Sequence, residues 1–181
     1  MKLCLPLALI CLAAPAAAEA LSDSDKILLG MVENACQTND YRTLFDAMAK
    51  SPVILRKFTA ATVDLGTVHR DGTEEARKVP GADYPGLPVA MRDFSYIPAP
   101  ASGDDPSIGL MVEFNQAGDA RVSVEWTRVR FVRPEGGGDE VGTPVHLDGT
   151  PWVSGDRTDG QLLLYPTDTC FELVADTRYV E

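Results

Sequence analysis

The alternation of apolar and polar residues is clearest between Ile108 and Arg133, where two successive runs share a two-residue period. The first run places four apolar side chains on one side of the chain, namely Ile108, Leu110, Val112 and Phe114. Gly118-Asp119 then indicates a turn. The second run begins with three inward apolar residues, Val122, Val124 and Trp126. Because this period is typical of strands with one buried face, we predict a long β-hairpin here.

The second run changes phase after Thr127, where the apolar positions become Val129 and Phe131. A one-residue shift turns the buried face toward solvent unless an extra residue is absorbed. We therefore predict a β-bulge or sharp bend between Trp126 and Arg128, in a sheet that curls around a helix or a cavity. With the bulge, Arg128 and Arg130 face water, as expected for side chains that are costly to bury. Without it, both arginines project inward and could bind an anion.

Helical patterns precede this hairpin. Ser22 and Asp25 have the spacing of a capping box, so a first helix begins there. Its predicted inward stripe consists of Ile27, Leu28, Met31, Val32, Ala35 and Cys36. A second helix is predicted over residues 41–50, with Leu44, Phe45 and Met48 inward. Residues 53–55 fit either a third helical turn or a strand.

Strand patterns and loop signals fill the rest of the chain. We predict a strand over residues 58–69, then a polar segment over 74–78 that is either an edge strand or a helical turn. Six of the thirteen prolines lie between Pro80 and Pro106. That segment is expected to be an irregular surface connection with one short strand over 91–97, and the natural rim of any pocket.

Two closing strands are predicted over residues 161–165 and 169–180. In the last strand Phe171, Leu173 and Ala175 alternate against Cys170, Glu172 and Asp176. If Cys170 contacts the first helix, either the helices pack on the side of Cys170 and Val174 or both faces of the strand are covered, and we favour the former.

These elements predict one α+β domain, with two or three N-terminal helices packed on a curled, mostly antiparallel sheet that contains a bent central hairpin. The outline resembles the cone-shaped NTF2-like and cystatin-like domains. This resemblance is one of element order and carries no catalytic residues. Folds of this type serve both enzymes and binding proteins, so the fold alone assigns no activity.

Residues 1–20 have the pattern of a signal peptide. Lys2 is followed by an apolar run over residues 3–14, and Ala18-Glu19-Ala20 fits an A-x-A cleavage site. The alternative is an N-terminal anchor helix. We expect a periplasmic or secreted protein whose mature domain is residues 21–181. No later stretch approaches the roughly 20 apolar residues that a membrane helix requires, so no membrane span is expected.

Cleavage after Ala20 removes two of the four cysteines and leaves Cys36 and Cys170. Two remaining cysteines in an oxidising compartment usually pair, so we predict a disulfide that joins the first helix to the last strand. The alternatives are a metal-binding pair and two free thiols. The net charge of −11 argues against nucleic acid and anionic lipid as partners, and favours a soluble acidic protein.

The two histidines lie in one repeated hexapeptide. Val68-His69-Arg70-Asp71-Gly72-Thr73 recurs as Val145-His146-Leu147-Asp148-Gly149-Thr150. Asp-Gly is a preferred hairpin turn, so structural turns are the favoured interpretation. The alternatives are a duplicated unit or a shared binding edge, and a metal or catalytic site where both turns meet. Two imidazoles with two carboxylates suit zinc or copper, and a histidine oriented by a carboxylate suits a general base.

Other signatures of chemistry are absent from the sequence. It contains no nucleophile elbow, P-loop, dinucleotide fingerprint or H-E-x-x-H motif. We therefore expect no catalytic residue, no cofactor and no resident metal. Glu113 and Glu125 on partnered hairpin arms are either a carboxylate pair or, as favoured, solvated side chains. Trp126 and Trp152 could stack on a flat ligand or simply fill the open end of the sheet.

The candidate ligand-binding residues are His69, Asp71, His146, Asp148, Trp126 and Trp152. The sequence favours an exported binding or accessory protein without catalysis, whose partner is a small molecule or another protein. One alternative is a small cone-type isomerase or hydrolase with a pocket between the helices and the bent sheet. The other is a metal-binding protein that uses the two His-x-Asp turns. No residue pattern selects a ligand or an oligomeric state.

Overall fold

The computed structural model describes residues 21–99, 107–133, 142–155 and 158–180. Three helices come first: α1 (Asp23–Thr38), α2 (Tyr41–Lys50) and α3 (Pro52–Lys57). The strands are β1 (Thr59–His69), β2 (Glu74–Pro80), β3 (Val89–Arg92), β4 (Ser95–Pro98), β5 (Ile108–Gln116), β6 (Val122–Val132), β7 (Thr143–His146), β8 (Gly160–Pro166) and β9 (Phe171–Val180). The predicted α+β class is confirmed. The predicted signal peptide lies outside the described residues.

Polar side chains set the helix boundaries. Ser22 and Asp25 form the predicted capping box at the start of α1. Asp40 accepts a hydrogen bond from the backbone N–H of Thr43 and begins α2. Ser51 accepts a hydrogen bond from the backbone N–H of Ile54 and begins α3, where Pro52 occupies the first turn. Of the two alternatives for residues 53–55, the structure therefore has the helical turn. None of the described helices is both long and apolar enough to cross a membrane.

Helix α1 buries a narrower stripe than its sequence predicts. Val32 and Ala35 are buried, whereas Ile27 and Met31 are 67% and 52% exposed. The prediction that the last two face the core is wrong. Helix α1 contacts α2 and α3. Leu28 packs against the shared core as predicted, and so does Leu29, which the predicted stripe did not include.

Seven strands form one mixed sheet in the order β2-β1-β9-β8-β6-β5, with β7 paired to β6. The β1–β9 pair is parallel, and the other pairs are antiparallel. We call the side of the sheet that packs on the helices the inner face. The largest fully buried side chains of this core include Phe45, Leu44, Ile54, Leu162, Leu164 and Leu173.

The β5–β6 hairpin has a continuous register from Ile108 opposite Arg130 to Gln116 opposite Val122. The predicted β-bulge in β6 is therefore wrong. Strand β6 instead changes its second partner, pairing with β8 as far as Trp126 and with β7 from Val129 onward.

Both faces of β6 are covered near this change of partner, which explains the change of apolar phase. Trp126 is buried on the inner face, and Val129 is fully buried on the outer face. The segment after β7 returns across the outer face, where Ser154 and Gly155 donate hydrogen bonds to Glu113. Because no residue is extra, Arg128 and Arg130 stay on the same side as Trp126, the alternative that the sequence left less favoured.

A bulge does occur in β9. Leu164 lies opposite Leu173 while Leu163 lies opposite Ala175, so Val174 is left without a counterpart in β8. The extra residue shifts the alternation by one position, so the side chains of Asp176 and Arg178 lie on the inner face. Phe171 and Leu173 belong to the core together with Cys170. The favoured prediction, that the helices pack on the side of Cys170 and Val174, is therefore wrong, and residues of both sides are buried at this end of the strand.

The predicted disulfide between Cys36 and Cys170 is present, with the two Cα atoms 4.6 Å apart. It connects the last turn of α1 to the start of β9. The predicted contact between the first helix and the last strand is confirmed.

The proline-rich connection contains a small hairpin rather than one short strand. Strand β3 pairs with β4, and Asp93 adopts a left-handed conformation in the turn. Of the two alternatives for residues 74–78, the structure has the edge strand, β2.

Candidate functional site

Strands β6 and β9 lie on either side of β8, which begins at Gly160. Gly160 pairs with Trp126 on one side and with Arg178 on the other. One residue earlier, Asp159 still bridges both strands. Its N–H donates to the carbonyl of Trp126 and its carbonyl accepts from the N–H of Tyr179, both at 2.9 Å. Its carboxylate accepts the backbone N–H of Arg128 at 2.6 Å. Asp159 thus bonds to both β6 and β9 at the position just before β8 begins. Beyond it, β8 no longer separates these two strands, and the inner face has an opening there.

A cleft of about 720 Å³ lies at this opening. Its floor includes inner-face side chains of β1, β2, β5, β6 and β9. Its rim includes Pro85–Pro88 and Pro98–Ala99, which belong to the proline-rich connection. The expectation that this connection borders a pocket is confirmed.

The register of the strands assigns each floor residue to a cross-strand row. One row runs from Trp126 through Gly160 and Arg178 to Thr67. The next row brings Asp176 between Leu162 and Leu65. Polar groups on β6 and β9 therefore lie beside the apolar side chains Leu65, Leu87 and Leu110, which also line the cleft.

Trp126 crosses the floor only because residue 160 is glycine. A Cβ atom on Gly160 would lie 2.5 Å from Cζ2 and 2.7 Å from Nε1 of the indole. The ring therefore rests directly on the backbone of β8 and reaches toward β9. Its Nε1–H group is buried and has no hydrogen-bond partner among the described residues.

Asp176 is the most deeply buried charged residue in the floor, with 1% of its surface exposed. Its Oδ2 accepts hydrogen bonds from the hydroxyl of Tyr84 at 3.0 Å and from Nη2 of Arg178 at 3.1 Å. Burial, and next the charge of Asp176, raise the pKa of Tyr84 far above its usual value. The tyrosine hydroxyl therefore remains a donor, and these two donors fix the orientation of the carboxylate.

Three buried side-chain polar atoms lack a hydrogen-bond partner within the described part of the chain: Trp126 Nε1, Arg128 Nε and Asp176 Oδ1. All three residues line this one cleft. Arg128 Nε lies 3.5 Å from Asp159, which is long for a hydrogen bond. An unmet buried polar group costs about 1–3 kcal/mol, so three of them on residues of one cleft call for an explanation.

The charges around the cleft nearly balance. Its lining includes three arginines and three acidic residues, namely Arg77, Arg128, Arg178, Glu75, Asp159 and Asp176. The whole chain has a net charge of −11. The cleft is thus much less acidic than the average surface of this protein.

The two repeated hexapeptides form the same turn. In each, the histidine N–H donates to the carbonyl of the threonine, at 2.8 Å in both turns. Asp71 accepts the N–H of Thr73, and Asp148 accepts that of Thr150, each at 2.9 Å. Hydrogen bonds from these threonines hold the pKa of both carboxyl groups below the usual value.

Both turns also need a glycine. Gly72 and Gly149 adopt φ angles of 84° and 88°, a region that side chains disfavour. Each aspartate is thus engaged by its own turn, which supports the structural interpretation of the repeat.

The histidines occupy different parts of the sheet. His69 lines a shallow pocket of about 420 Å³ with Arg70 and Thr158 and pairs with Glu75 at 3.8 Å. His146 lies in β7 opposite Val129 of β6. Throughout residues 21–99, 107–133, 142–155 and 158–180, no group of three His, Cys, Asp or Glu side chains is placed to hold a metal ion. The metal-binding alternative gains no support.

Of the candidate residues from the sequence, Trp126 lines the cleft. The described lining does not include His69, Asp71, His146, Asp148 or Trp152. Trp152 lies in the loop after β7, where its backbone N–H donates to the carbonyl of Pro144 at 3.3 Å.

The two glutamates of the hairpin face each other in register on the outer face. Glu113 binds Ser154 and Gly155. Glu125 accepts hydrogen bonds from Ser123 at 3.1 Å and from Gln161 at 3.3 Å. They lie on the face opposite the cleft, and neither belongs to its described lining.

Sequence reasoning missed Asp176, Arg178 and Tyr84. Strict alternation from Phe171 places Asp176 on the outer face, and only the bulge at Val174 reverses this. One signal was present: Asp176 and Arg178 are two residues apart in a strand, so they share a face. No sequence signal pairs Tyr84 with Asp176, which are 92 positions apart.

Comparison with known proteins identifies no family for this chain. No protein-family model matches it, and no curated protein matches it. One solved structure that it resembles is an NTF2-like protein from Cytophaga hutchinsonii, with 15% sequence identity over 87% of this chain and 97% of that chain, and a TM-score of 0.24. A likeness at this level assigns no residue and no activity.

Proposed function

We propose that this protein is an exported, non-catalytic binding protein that holds a small polar organic molecule in the cleft beside Trp126. The observation that carries this proposal is the presence of three buried, unpartnered polar atoms on residues of one cleft. Ligand sites commonly combine an apolar wall with a few converging polar groups. The leucines of the cleft and the prolines of its rim provide such a wall.

The composition of the cleft favours binding over nucleophilic catalysis. Its described lining contains no serine, cysteine or histidine, so it has neither a Ser–His nor a Cys–His pair of the kind that nucleophilic enzymes commonly use. The buried Asp176 pairs with Arg178 at 3.1 Å, and the partly exposed Asp159 lies 3.5 Å from Nε of Arg128. These pairs hold fixed donors and acceptors in place, as a selective binding site requires.

The proposal includes export and one mature domain of residues 21–181, in the periplasm or outside the cell. The disulfide between Cys36 and Cys170 supports an oxidising compartment. Expression of the full chain in a bacterial host, followed by fractionation and N-terminal sequencing, tests this part. We expect extracytoplasmic material that begins at Leu21. Full-length protein retained in the cytoplasm would contradict it.

Indole NMR tests ligand binding, because the chain has two tryptophans. Of these two, Trp126 lines the cleft and Trp152 does not. The ¹⁵N-labelled protein is titrated with pools of amino acids, organic acids, sugars and amines. We expect at least one pool to shift the Nε1–H resonance of Trp126 while that of Trp152 stays in place. Trp126→Phe and Trp152→Phe assign the two signals. If every pool leaves the Trp126 resonance unmoved, the proposed function fails.

A cone-type isomerase that uses Asp176 is the second candidate. One observation favours it: Asp176, whose Oδ1 has no hydrogen-bond partner among the described residues, lines a partly apolar cleft, and a carboxylate in such a place can act as a general base. The compound that shifts the Nε1–H resonance of Trp126 is incubated with catalytic amounts of protein in deuterated water. Recovery of the unchanged, undeuterated molecule is expected of a binding protein, whereas exchange of a C–H proton that Asp176→Asn abolishes would establish the enzyme.

A further inference from the structure

We infer that the cleft recognises a small carboxylic acid that carries a hydroxyl or amino group on the carbon next to the carboxylate and an apolar group beyond it. This inference rests on the proposed binding function and names the chemical class of the ligand. It follows from the identity, spacing and charge of the three unpartnered groups and from the apolar wall beside them.

The unpartnered groups define which atoms the ligand presents. Trp126 Nε1 and Arg128 Nε are donors, so the ligand offers them acceptor oxygens. Asp176 Oδ1 is an acceptor that is still available, because Tyr84 and Arg178 both donate to the other oxygen, Oδ2. The ligand therefore offers Asp176 a donor. A carboxylate beside a hydroxyl or ammonium group satisfies all three.

The charge of the cleft favours one negative charge over two. Three arginines face three acidic residues there, and the protein as a whole is strongly acidic. A phosphate group brings a charge of about −1.5 to −2 and would lie close to Asp159 and Asp176. A carboxylate brings a single charge, and an adjacent ammonium group cancels it.

The spacing of the groups requires the ligand's acceptor and donor to be close together. The Nε1 atom of Trp126 rests over Gly160, and Gly160 is the cross-strand neighbour of Arg178. Asp176, two residues from Arg178 in β9, is the diagonal neighbour of Gly160, so the indole N–H and the carboxylate are separated by roughly one diagonal spacing of about 7–8 Å. With hydrogen bonds of about 2.9 Å at each end, functional groups on neighbouring carbons span this gap.

The apolar wall determines which group the ligand carries beyond its polar end. Leu65, Leu87 and Leu110 line the cleft beside the polar groups, and the face of the Trp126 ring adds to them. A volume of about 720 Å³ leaves room for a side chain the size of a benzyl group. An acid without an apolar group would leave this wall in contact with water.

Four matched probes test the inference: 3-phenyllactate, L-phenylalanine, 3-phenylpropionate and methyl 3-phenyllactate. The first two carry both the carboxylate and the neighbouring donor, the third lacks the donor, and the fourth lacks the negative charge. Dissociation constants come from the Trp126 indole resonance, with Trp152 as the internal control. We expect phenyllactate or phenylalanine to bind about tenfold or more tightly than either of the other two probes.

Two variants connect that preference to its residues. In Asp176→Asn the advantage of the neighbouring donor over 3-phenylpropionate is expected to disappear, because an amide N–H₂ faces the ligand's own donor. In Trp126→Phe, followed by calorimetry, the carboxylates are expected to weaken more than the methyl ester. Trp152→Phe is the control and should match the unmodified protein. A purely structural role for Asp176 or Trp126 would weaken all four probes equally.

The outcomes separate this inference from the proposed function. Equal affinity for all four probes, or no binding of phenyllactate and phenylalanine at about 10 mM, overturns the ligand class. If the metabolite pools still shift the Trp126 resonance, the cleft remains a binding site for another kind of molecule. If the pools also fail, both proposals are rejected.

Discussion

Asp176 of β9 lies directly opposite Leu162 of β8, a residue of the core. The register places it there because Val174 is left without a counterpart between Leu173 and Ala175. This one-residue insertion turns a side chain that strict alternation would expose into the most buried charge of the cleft. β-Bulges commonly redirect side chains in this way next to functional sites.

The contact between Trp126 and Gly160 predicts a strong effect of a single methyl group. In Gly160→Ala the new Cβ would overlap the indole, so the ring must move and the free energy of unfolding should fall by about 1–3 kcal/mol. Urea denaturation measures the change. Gly118→Ala is the control, since no atom lies within 4 Å of its new Cβ. Equal stability of the two variants would contradict the described packing.

The disulfide should make a large contribution to stability. Cys36 and Cys170 are 134 positions apart, and removing a native disulfide from a small secreted domain typically costs about 2–5 kcal/mol. We expect the Cys36→Ala, Cys170→Ala double variant to unfold at a lower urea concentration than the oxidised protein. Reductant should lower the midpoint of the unmodified protein and leave that of the double variant unchanged. Alkylation of both thiols without reductant would show that the bond does not form.

Asp25 connects α1 to the start of α3 and should make stability depend on acid pH. Hydrogen bonds from Ser22, and next from Ser51, lower the pKa of Asp25 below its usual value of 3.8. A carboxyl group with a depressed folded pKa stabilises the folded state above its unfolded pKa, and this contribution disappears as the pH falls through the lower folded pKa.

We therefore expect Asp25→Asn to reduce the loss of stability below about pH 4, as measured by urea denaturation at several pH values. Asp23→Asn is the control, because Asp23 pairs with Lys26 in its own helix rather than with another helix. Identical pH profiles for Asp25→Asn and the unmodified protein would count against this role.

Tyr84 should affect stability at alkaline pH. Its pKa is raised by burial and by Asp176 from the usual value of 10.0, so it ionises in the unfolded chain before it ionises in the folded one. The stability that this group contributes is present below about pH 10 and decreases as the pH rises further.

Tyr84→Phe also removes one of the two donors to the buried Oδ2 of Asp176, which should cost about 1–3 kcal/mol near neutral pH. Thermal unfolding between pH 7 and pH 11 tests both effects: the variant should be less stable at pH 7 and should lose less stability above about pH 10. Tyr165→Phe, at an exposed site, is the control. A Tyr84→Phe variant as stable as this control would show that the buried bond is unimportant.

The elements that the sequence predicted correctly are those with strong local signals. Ser22 and Asp25 form the capping box that starts α1, and Leu44, Phe45 and Met48 are the buried side of α2. The Asp-Gly turns after His69 and His146 have the hydrogen bonds of tight hairpins. In each case residues within four positions of one another determine the geometry.

The site was harder to predict because its residues depend on pairing between distant strands. The phase change in β6 suggested a bulge, but the register shows a change of partner from β8 to β7. Without that bulge, Arg128 remains on the face of Trp126 and lines the cleft. The sequence contained both possibilities for Arg128 and gave no local reason to choose the correct one.

The sequence by itself determined the helices, the hairpin, the α+β class and the pair of cysteines that could join its two ends, because turn chemistry, capping and apolar period act over short distances. Only the tertiary structure decided which face Asp176 occupies, which strand accompanies each half of β6, and which polar atoms meet in one cleft. These depend on register, and register is set by the packing of whole strands against the core, so one unmatched residue in β9 was enough to relocate the charge at the centre of the site.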